Sequence, residues 1–541
     1  MKGLIGSTML LCGVACAATA HASDTDVFAG CDGNGKPGKS ADGLSYPQNT
    51  MRYGDYASGS SQSVIAACTA ALAHPKLLAT QNLRRARLLR ARATAQLKAD
   101  NLPGALADID LAGAAAGDAA ADALYRRSMA VSLDLLRALV YDQMGNRDEA
   151  LRLARQSAAA RPYALEVQRV AAHLLLTHGQ NDAAAQATLL AANRLDPDFA
   201  QYQLTVLGYA GDFKAMAQLA LPPVDVPATT PEKSLSPLGS LQKVLASRSQ
   251  LTNGMLLAYA RATTGDVAGA RRDMAQTKAR FAALSSGQPE TLSAEAQANI
   301  FKPYADLIAS YETRIEARIA LQEGRKTDAI ARLQGASLPV DAVTADLFKA
   351  VRIAQGQPET AFPGDLDPAS NRQATARKAL FDSMVRMATI EPETAGTNSV
   401  YKRSRPNVLG ALVGAAFSMG TTLLQGVKNT DGFSAQPNAD GSVQVSLTGA
   451  TTAPAVVREM TLLRAAEMAI EAGKPSFVVA ARNDYARTMT TSQYGATISS
   501  VPTGYKTDMV VRFLAPGEQD GRALDARAVV DALGPYYYKE A

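Results

Sequence analysis

The stretch Leu135-Leu136-Arg137-Ala138-Leu139-Val140-Tyr141-Asp142-Gln143-Met144-Gly145-Asn146-Arg147-Asp148-Glu149-Ala150-Leu151 decides how the chain is read. Its first half has helical spacing, with Ala138 and Tyr141 on one face. Gly145-Asn146 interrupts it as a turn, since glycine at a helix end adopts the left-handed backbone at no steric cost. A second helix follows, carries Ala150 and Ala154, and stops near Pro162, which cannot continue a helix. Small residues at Ala138 and Ala150 let the two helices cross closely, and Tyr141 fills the space beside them.

The same unit recurs on either side. The next turn, Gly179-Gln180-Asn181-Asp182, lies 34 residues after Gly145, with Ala172 before it and Ala184 after it. Its second helix ends at Leu195-Asp196-Pro197. Further turns stand at Gly211, at Gly265 (followed by Ala270), at Gly324 (between Ala317 and Ala329) and, more weakly, at Gly356. Upstream, Ala93 and Ala105 flank Asp100-Asn101 as a first unit. Over residues 62–385 the chain resembles the tetratricopeptide repeat family in residue type and in its 34-residue period. The resemblance implies stacked helical hairpins, an α-solenoid with a concave groove, and a protein or peptide partner bound in that groove. The Pro-rich stretch from Leu221 predicts a break between two repeat groups near 221–250. The fold class expected is mainly α, a TPR-like α-solenoid with a small C-terminal α+β domain.

Ahead of the repeats, Lys2 is followed by an apolar run from Leu4 to Ala18 and by Ala20-His21-Ala22. That pattern predicts a signal peptide over residues 1–22 and a periplasmic protein. Residues 23–61, rich in Gly, Ser and Asp, read as an extended segment. With Cys12 and Cys16 removed in the signal, Cys31 and Cys68 remain, and an oxidising compartment makes a disulfide between them the economical reading. Gly33-Asn34-Gly35-Lys36-Pro37-Gly38-Lys39-Ser40 matches the phosphate-loop pattern literally. It lacks the buried strand before and the helix after that the motif requires, so it reads as a polar loop.

Residues 386–436 read as a linker. Within it, Val408 to Val427 is twenty residues without a charge and contains Gly410, Gly414 and Gly420. It is either a docked helix or a contact with a membrane surface. Residues 437–541 read as an α+β domain: strands at Val443–Leu447 and Ser476–Ala480, a helix over Val456–Glu471, two strands joined by a hairpin across Pro502-Thr503-Gly504, and a last helix over Ala523–Leu533. Leu462-Leu463-Arg464-Ala465-Ala466-Glu467-Met468-Ala469, with Gly473 and Phe477, resembles a segment of small exported or lipid-anchored alphaproteobacterial proteins of unknown function. Arg464 and Glu467, one turn apart, read as a surface ion pair.

The chain has 541 residues and a formal net charge of +5 without a dense basic cluster, which argues against nucleic acid as partner. His173 and His178 are five apart and share no helical face, and with the cysteines paired no metal or cofactor site is legible. Asp108 and Asp110 read as a solvated acidic face, and Ser240-Leu241-Gln242-Lys243 as a chance Ser-x-x-Lys match. Arg482, Asp484 and Tyr485 are the one polar cluster at a strand end that merits following. The residues predict no catalytic site. They predict a periplasmic, non-enzymatic scaffold for a protein or peptide, with peripheral membrane attachment through 408–427 as the alternative.

Overall fold

The computed structural model describes residues 24–39, 42–44, 60–219, 237–286, 293–339, 341–357, 371–394, 398, 401, 432–449, 452–493 and 496–538. The expected signal peptide and the uncharged run 408–427 lie outside these residues. The chain is mainly helical and ends in a small five-stranded antiparallel sheet.

Helices α3 (Asn82–Lys98) and α4 (Leu102–Ala115) form the first hairpin. A single turn, α5 (Ala123–Tyr125), and a π-helical turn at Arg126–Ala130 lead into α6 (Val131–Gln143), which pairs with α7 (Arg147–Ala160). Then come α8 (Leu165–Thr177) with α9 (Ala183–Leu195), and α10 (Phe199–Ala210) with α11 (Phe213–Ala217). The longer pairs are α12 (Pro237–Thr263) with α13 (Val267–Ser286) and α14 (Ala294–Gln322) with α15 (Lys326–Leu333), followed by α16 (Ala342–Ala354). Each hairpin packs internally, and its first helix packs on the first helix of the next: α6 on α8, α8 on α10, α10 on α12, α12 on α14, α14 on α16.

One turn geometry serves all these hairpins. Gly145, Gly179, Gly211, Gly265, Gly324 and Gly356 have positive φ, as does Asp100 at 61°. In each case the next residue donates its N–H to a carbonyl five positions back, at 2.8–3.0 Å, as Asn146 does to Tyr141. This closes the helix C-terminus by a Schellman bond. A Cβ at any of the six glycines would meet nothing within 4 Å, so the constraint is the backbone angle and not space. The same turns start the next helix: Asn101, Asp182, Asp212 and Asp266 cap it by accepting the N–H three residues on.

The alanines lie where helices cross. Ala93, Ala105, Ala138, Ala150, Ala172, Ala270, Ala317 and Ala329 are buried, and Tyr141 is partly buried against the core. Pro162 follows the end of α7, on the surface. Ala184 is a correction: with Asp182 as cap, the helical register turns Ala185, Thr188, Leu189 and Ala192 inward and leaves Ala184 exposed.

Other boundaries also move. Within the segment expected to be extended, Asp24–Asp32 is helix α1, which buries Phe28 and Cys31 against α2 (Ser61–Leu72). Cys31 and Cys68 are disulfide-bonded, their Cα atoms 4.5 Å apart. Of the break expected near 221–250, residues 220–236 lie outside the description and the rest is helix α12. Helix α17 (Asn371–Ala388) does not extend the series of hairpins. It turns back onto α6 and α8, and its Met384, Val385 and Ala388 join the core of Leu135, Leu139 and Val167. One face of α6 and α8 is therefore covered by the chain itself.

The sheet runs in the order β1 (Gly432–Pro437), β2 (Val443–Gly449), β4 (Ala496–Leu514), β3 (Ser476–Gln493), β5 (Leu524–Asp525). Helix α18 (Pro454–Glu471) lies on β2, β3 and β4, and α19 (Ala526–Tyr537) packs against α18. The expected linker thus yields its last residues to β1, and its Tyr401 sits in the core of this domain against Phe433 and Tyr537. The hairpin expected across Pro502-Thr503-Gly504 is instead part of one continuous strand, β4, which pairs with β3 from Ala496 against Gln493 onwards. Pro502 pairs with Thr488 beside a register shift between Arg487 and Thr488. A bulge tolerates proline because the ladder is already interrupted there.

The Cys31–Cys68 bond closes a loop of 37 residues. Reduction, or Cys31→Ser, should cost roughly 2–4 kcal/mol. Urea unfolding with and without reductant should show that loss in the wild type and no further effect of reductant in the variant.

Candidate functional site

Helix α3 carries Arg84, Arg87 and Arg90, spaced by three and so stacked along one side. All three are buried. Uncompensated guanidinium groups do not stay in a protein interior, so each needs acceptors. Arg84 finds them in Asp32, at 2.9 Å, and in the carbonyl of Gly35, at 3.1 Å. The loop after α1 that matches the phosphate-loop pattern is thus fastened to α3, and it follows a helix instead of a strand.

Arg87 and Arg90 meet a different partner. The six residues after α17, Thr389-Ile390-Glu391-Pro392-Glu393-Thr394, are non-helical and cross α3 and the start of α6 as a strap. Arg87 pairs with Glu391 at 2.8 Å, and Arg90 stands 3.7 Å from the other oxygen of the same carboxylate. Arg90 also donates to the carbonyl of Ile390 and, at 3.2 Å, to Ser132 Oγ. Ser132 donates to the carbonyl of Ala388 at 2.7 Å and accepts the N–H of Ile390 at 3.1 Å. Ser128 Oγ accepts the N–H of Glu393 at 3.1 Å. Pro392 has no N–H to satisfy. The helical hairpins thus supply side chains that read both the backbone and the carboxylates of the strap.

At the far end a second arginine pair takes Glu393. Arg161 Nη2 is 2.7 Å and Arg127 Nε 3.4 Å from its oxygens, and Asn398 donates to it at 3.0 Å. The same pair holds Glu459 of α18: Arg161 makes a two-pronged contact at 2.8 and 2.9 Å, and Arg127 and the Tyr537 hydroxyl also donate to it. Arg127 lies over the Tyr536 ring at 4.1 Å. Arg127, Arg161, Glu393 and Glu459 are all buried. Burial alone would push the Glu459 carboxyl up; the charges of Arg127 and Arg161, with hydrogen bonds from Arg161 and Tyr537, overcome this and hold it at about 2. Burial likewise works against the Arg161 cation, and Glu393 and Glu459 raise it well above its ordinary value.

A second ion chain docks the C-terminal domain on α8 and α9. Arg458 bridges Glu166, at the start of α8, to Asp484, 2.9 Å away on β3. Arg482 pairs with Asp484 at 3.1 Å and donates to the carbonyl of Leu195 at 2.9 Å. The polar cluster singled out in the sequence is therefore an interface. Arg482 and Asp484, two apart on a strand, share a face, while Tyr485 points the other way and is exposed. Two other surface expectations are corrected. Arg464 and Glu467 form a buried pair at 3.0 Å, extended by Glu471 and by Tyr538, because α18 is covered on both sides. Asp108 is buried beneath Arg92 at 2.6 Å, while Asp110 stays exposed.

The histidines go separate ways. His173 accepts from or donates to Tyr202 at 3.0 Å, and burial lowers it to about 4. His178 pairs with Asp142 across the hairpins at 2.5 Å. Among the described residues no group of three or more His, Cys, Asp or Glu could hold a metal ion. No described helix is long and apolar enough to cross a membrane. Ser240-Leu241-Gln242-Lys243 lies in α12, on residues whose side chains fall outside the description.

The depressed Glu459 carboxyl sets a pH dependence. Its contribution to stability is complete above its ordinary value near 4.5 and is lost as pH falls towards 2. Urea midpoints measured from pH 7 to pH 2.5 should fall through that window. Glu459→Gln should flatten the fall and cost about 3–5 kcal/mol at pH 7, the usual loss when one partner of a buried pair is removed. An unchanged acid profile in the variant would assign the acid lability elsewhere.

No protein-family model matches the chain, and no curated protein or solved structure shows significant similarity to it.

Proposed function

We propose that the chain is an exported, periplasmic, non-enzymatic scaffold whose helical hairpins form a tetratricopeptide-like α-solenoid that binds a protein or peptide segment. The observation that carries the reading is the strap. The hairpins hold an irregular six-residue segment through side chains, with Arg87, Arg90, Ser128 and Ser132 reading backbone and carboxylate groups. Arginine pairs and hydroxyls arranged in this way recognise peptides. The recurrent turns and the contact of each hairpin with the next support the repeat reading. The disulfide suits an oxidising compartment. The C-terminal domain, docked by its ion chains on α8 and α9, serves as a second interaction module.

Crosslinking of the full chain in living cells, followed by mass spectrometry, tests this. A discrete protein captured by the wild type is the expected result, and its loss when Arg87 and Arg90 are both changed to Gln, in a chain that still folds, would put its site at the strap. Capture of lipid or bulk envelope material alone, abolished by deleting 408–427, would replace the scaffold with a peripheral membrane protein.

A further inference from the structure

Resting on that reading, we propose that the trough lined by Arg87, Arg90, Arg127 and Arg161 is a receptor site for an acidic, non-helical segment of a partner protein, of the form apolar-Glu-Pro-Glu, and that residues 389–394 are its occupant in cis. The site is built from elements other than the strap. Arg87 and Arg90 come from α3, Arg127 and Ser128 from the π-helical turn, Ser132 from α6, and Arg161 from the end of α7. Four of the contacts are to backbone, at Ala388 O where α17 ends and at Ile390 O, Ile390 N and Glu393 N in the strap, and any segment of this length offers those groups. Selectivity falls to the two carboxylate positions.

The charge balance favours an acidic ligand. Five buried guanidinium groups, Arg84, Arg87, Arg90, Arg127 and Arg161, face four carboxylates, Asp32, Glu391, Glu393 and Glu459. Two of the four belong to the strap, so its departure leaves the trough strongly cationic, and only an acidic replacement restores the balance. Glu459 stays on Arg127 and Arg161 throughout, so exchange of the strap does not require the C-terminal domain to leave.

The test uses a fluorescent peptide with the sequence of residues 386–396 and the same peptide with Gln in place of both glutamates, titrated into the full chain. With Glu391→Gln and Glu393→Gln in the chain, the acidic peptide should bind at least ten-fold more tightly than to the wild type, and the Gln peptide should not bind. Equal binding of the two peptides, or none to a variant that is folded by circular dichroism, overturns the proposal. The wild-type chain gives an independent readout if the variant fails to fold. In hydrogen–deuterium exchange, excess acidic peptide should speed exchange of the amides of Ile390 and Glu393 while the Gln peptide does not. Unchanged exchange with both peptides also overturns it. A protein partner captured in cells on another face would leave the scaffold reading standing while these titrations fail, so the two can be told apart.

Discussion

Two guanidinium groups shared between two carboxylates hold the parts of this molecule in register. Arg127 and Arg161 belong to the helical hairpins, Glu393 to the strap and Glu459 to the C-terminal domain. None of the four could be buried alone, since an ion in a low-dielectric interior costs several kcal/mol. Together they can be buried only when all three parts are in place. Apolar contacts around the cluster supply most of the burial: Leu165 and Leu195 join Val456, Met460 and Phe477 in one core, and Ala388 and Ile390 join Leu135 and Leu139 in another. Apolar burial is non-directional, so it does not by itself choose where the strap crosses. The ion cluster does.

Seen from this cluster, the helical part has two roles. Its regular turns, from Asp100 to Gly356, build a stack in which each hairpin covers the next. The face of its early helices is then used by the chain's own C-terminal half. Helix α17 covers α6 and α8 by apolar packing, and the strap continues across α3 by ion pairing. The mode of recognition therefore changes at Ala388, from helix against helix to side chain against backbone.

Much of the helical part could be read in the sequence because its signals are local. Gly145 and Gly179, 34 residues apart, mark turns through a backbone angle that glycine adopts without cost, and Ala138 and Ala150 mark a close crossing. The exchange of Ala184 for Ala185 arises from one residue of register, which the cap at Asp182 fixes. The cysteine pair was legible by counting. The trough was not legible, because its two halves are about 300 residues apart in the chain and charged residues normally read as surface. Arg84, Arg87 and Arg90 at a spacing of three, on a helix also rich in Leu and Ala, were the available signal, as was Pro392 between two glutamates. The same bias placed Asp108 and the Arg464–Glu467 pair on the surface. The expected turn at Pro502 is strand because β4 carries an extra residue beside it, Thr503, and a proline reads as a turn unless that bulge is known.

The strap and the C-terminal domain depend on one shared cluster. Urea unfolding of Glu393→Gln, Glu459→Gln and the double variant tests this dependence most directly. With one carboxylate gone the other still balances the arginine pair in part; with both gone two buried cations are left exposed to each other. The double variant should lose more than the sum of the single losses, by about 1 kcal/mol or more. Losses that add within about 0.5 kcal/mol would show two independent contacts and contradict it.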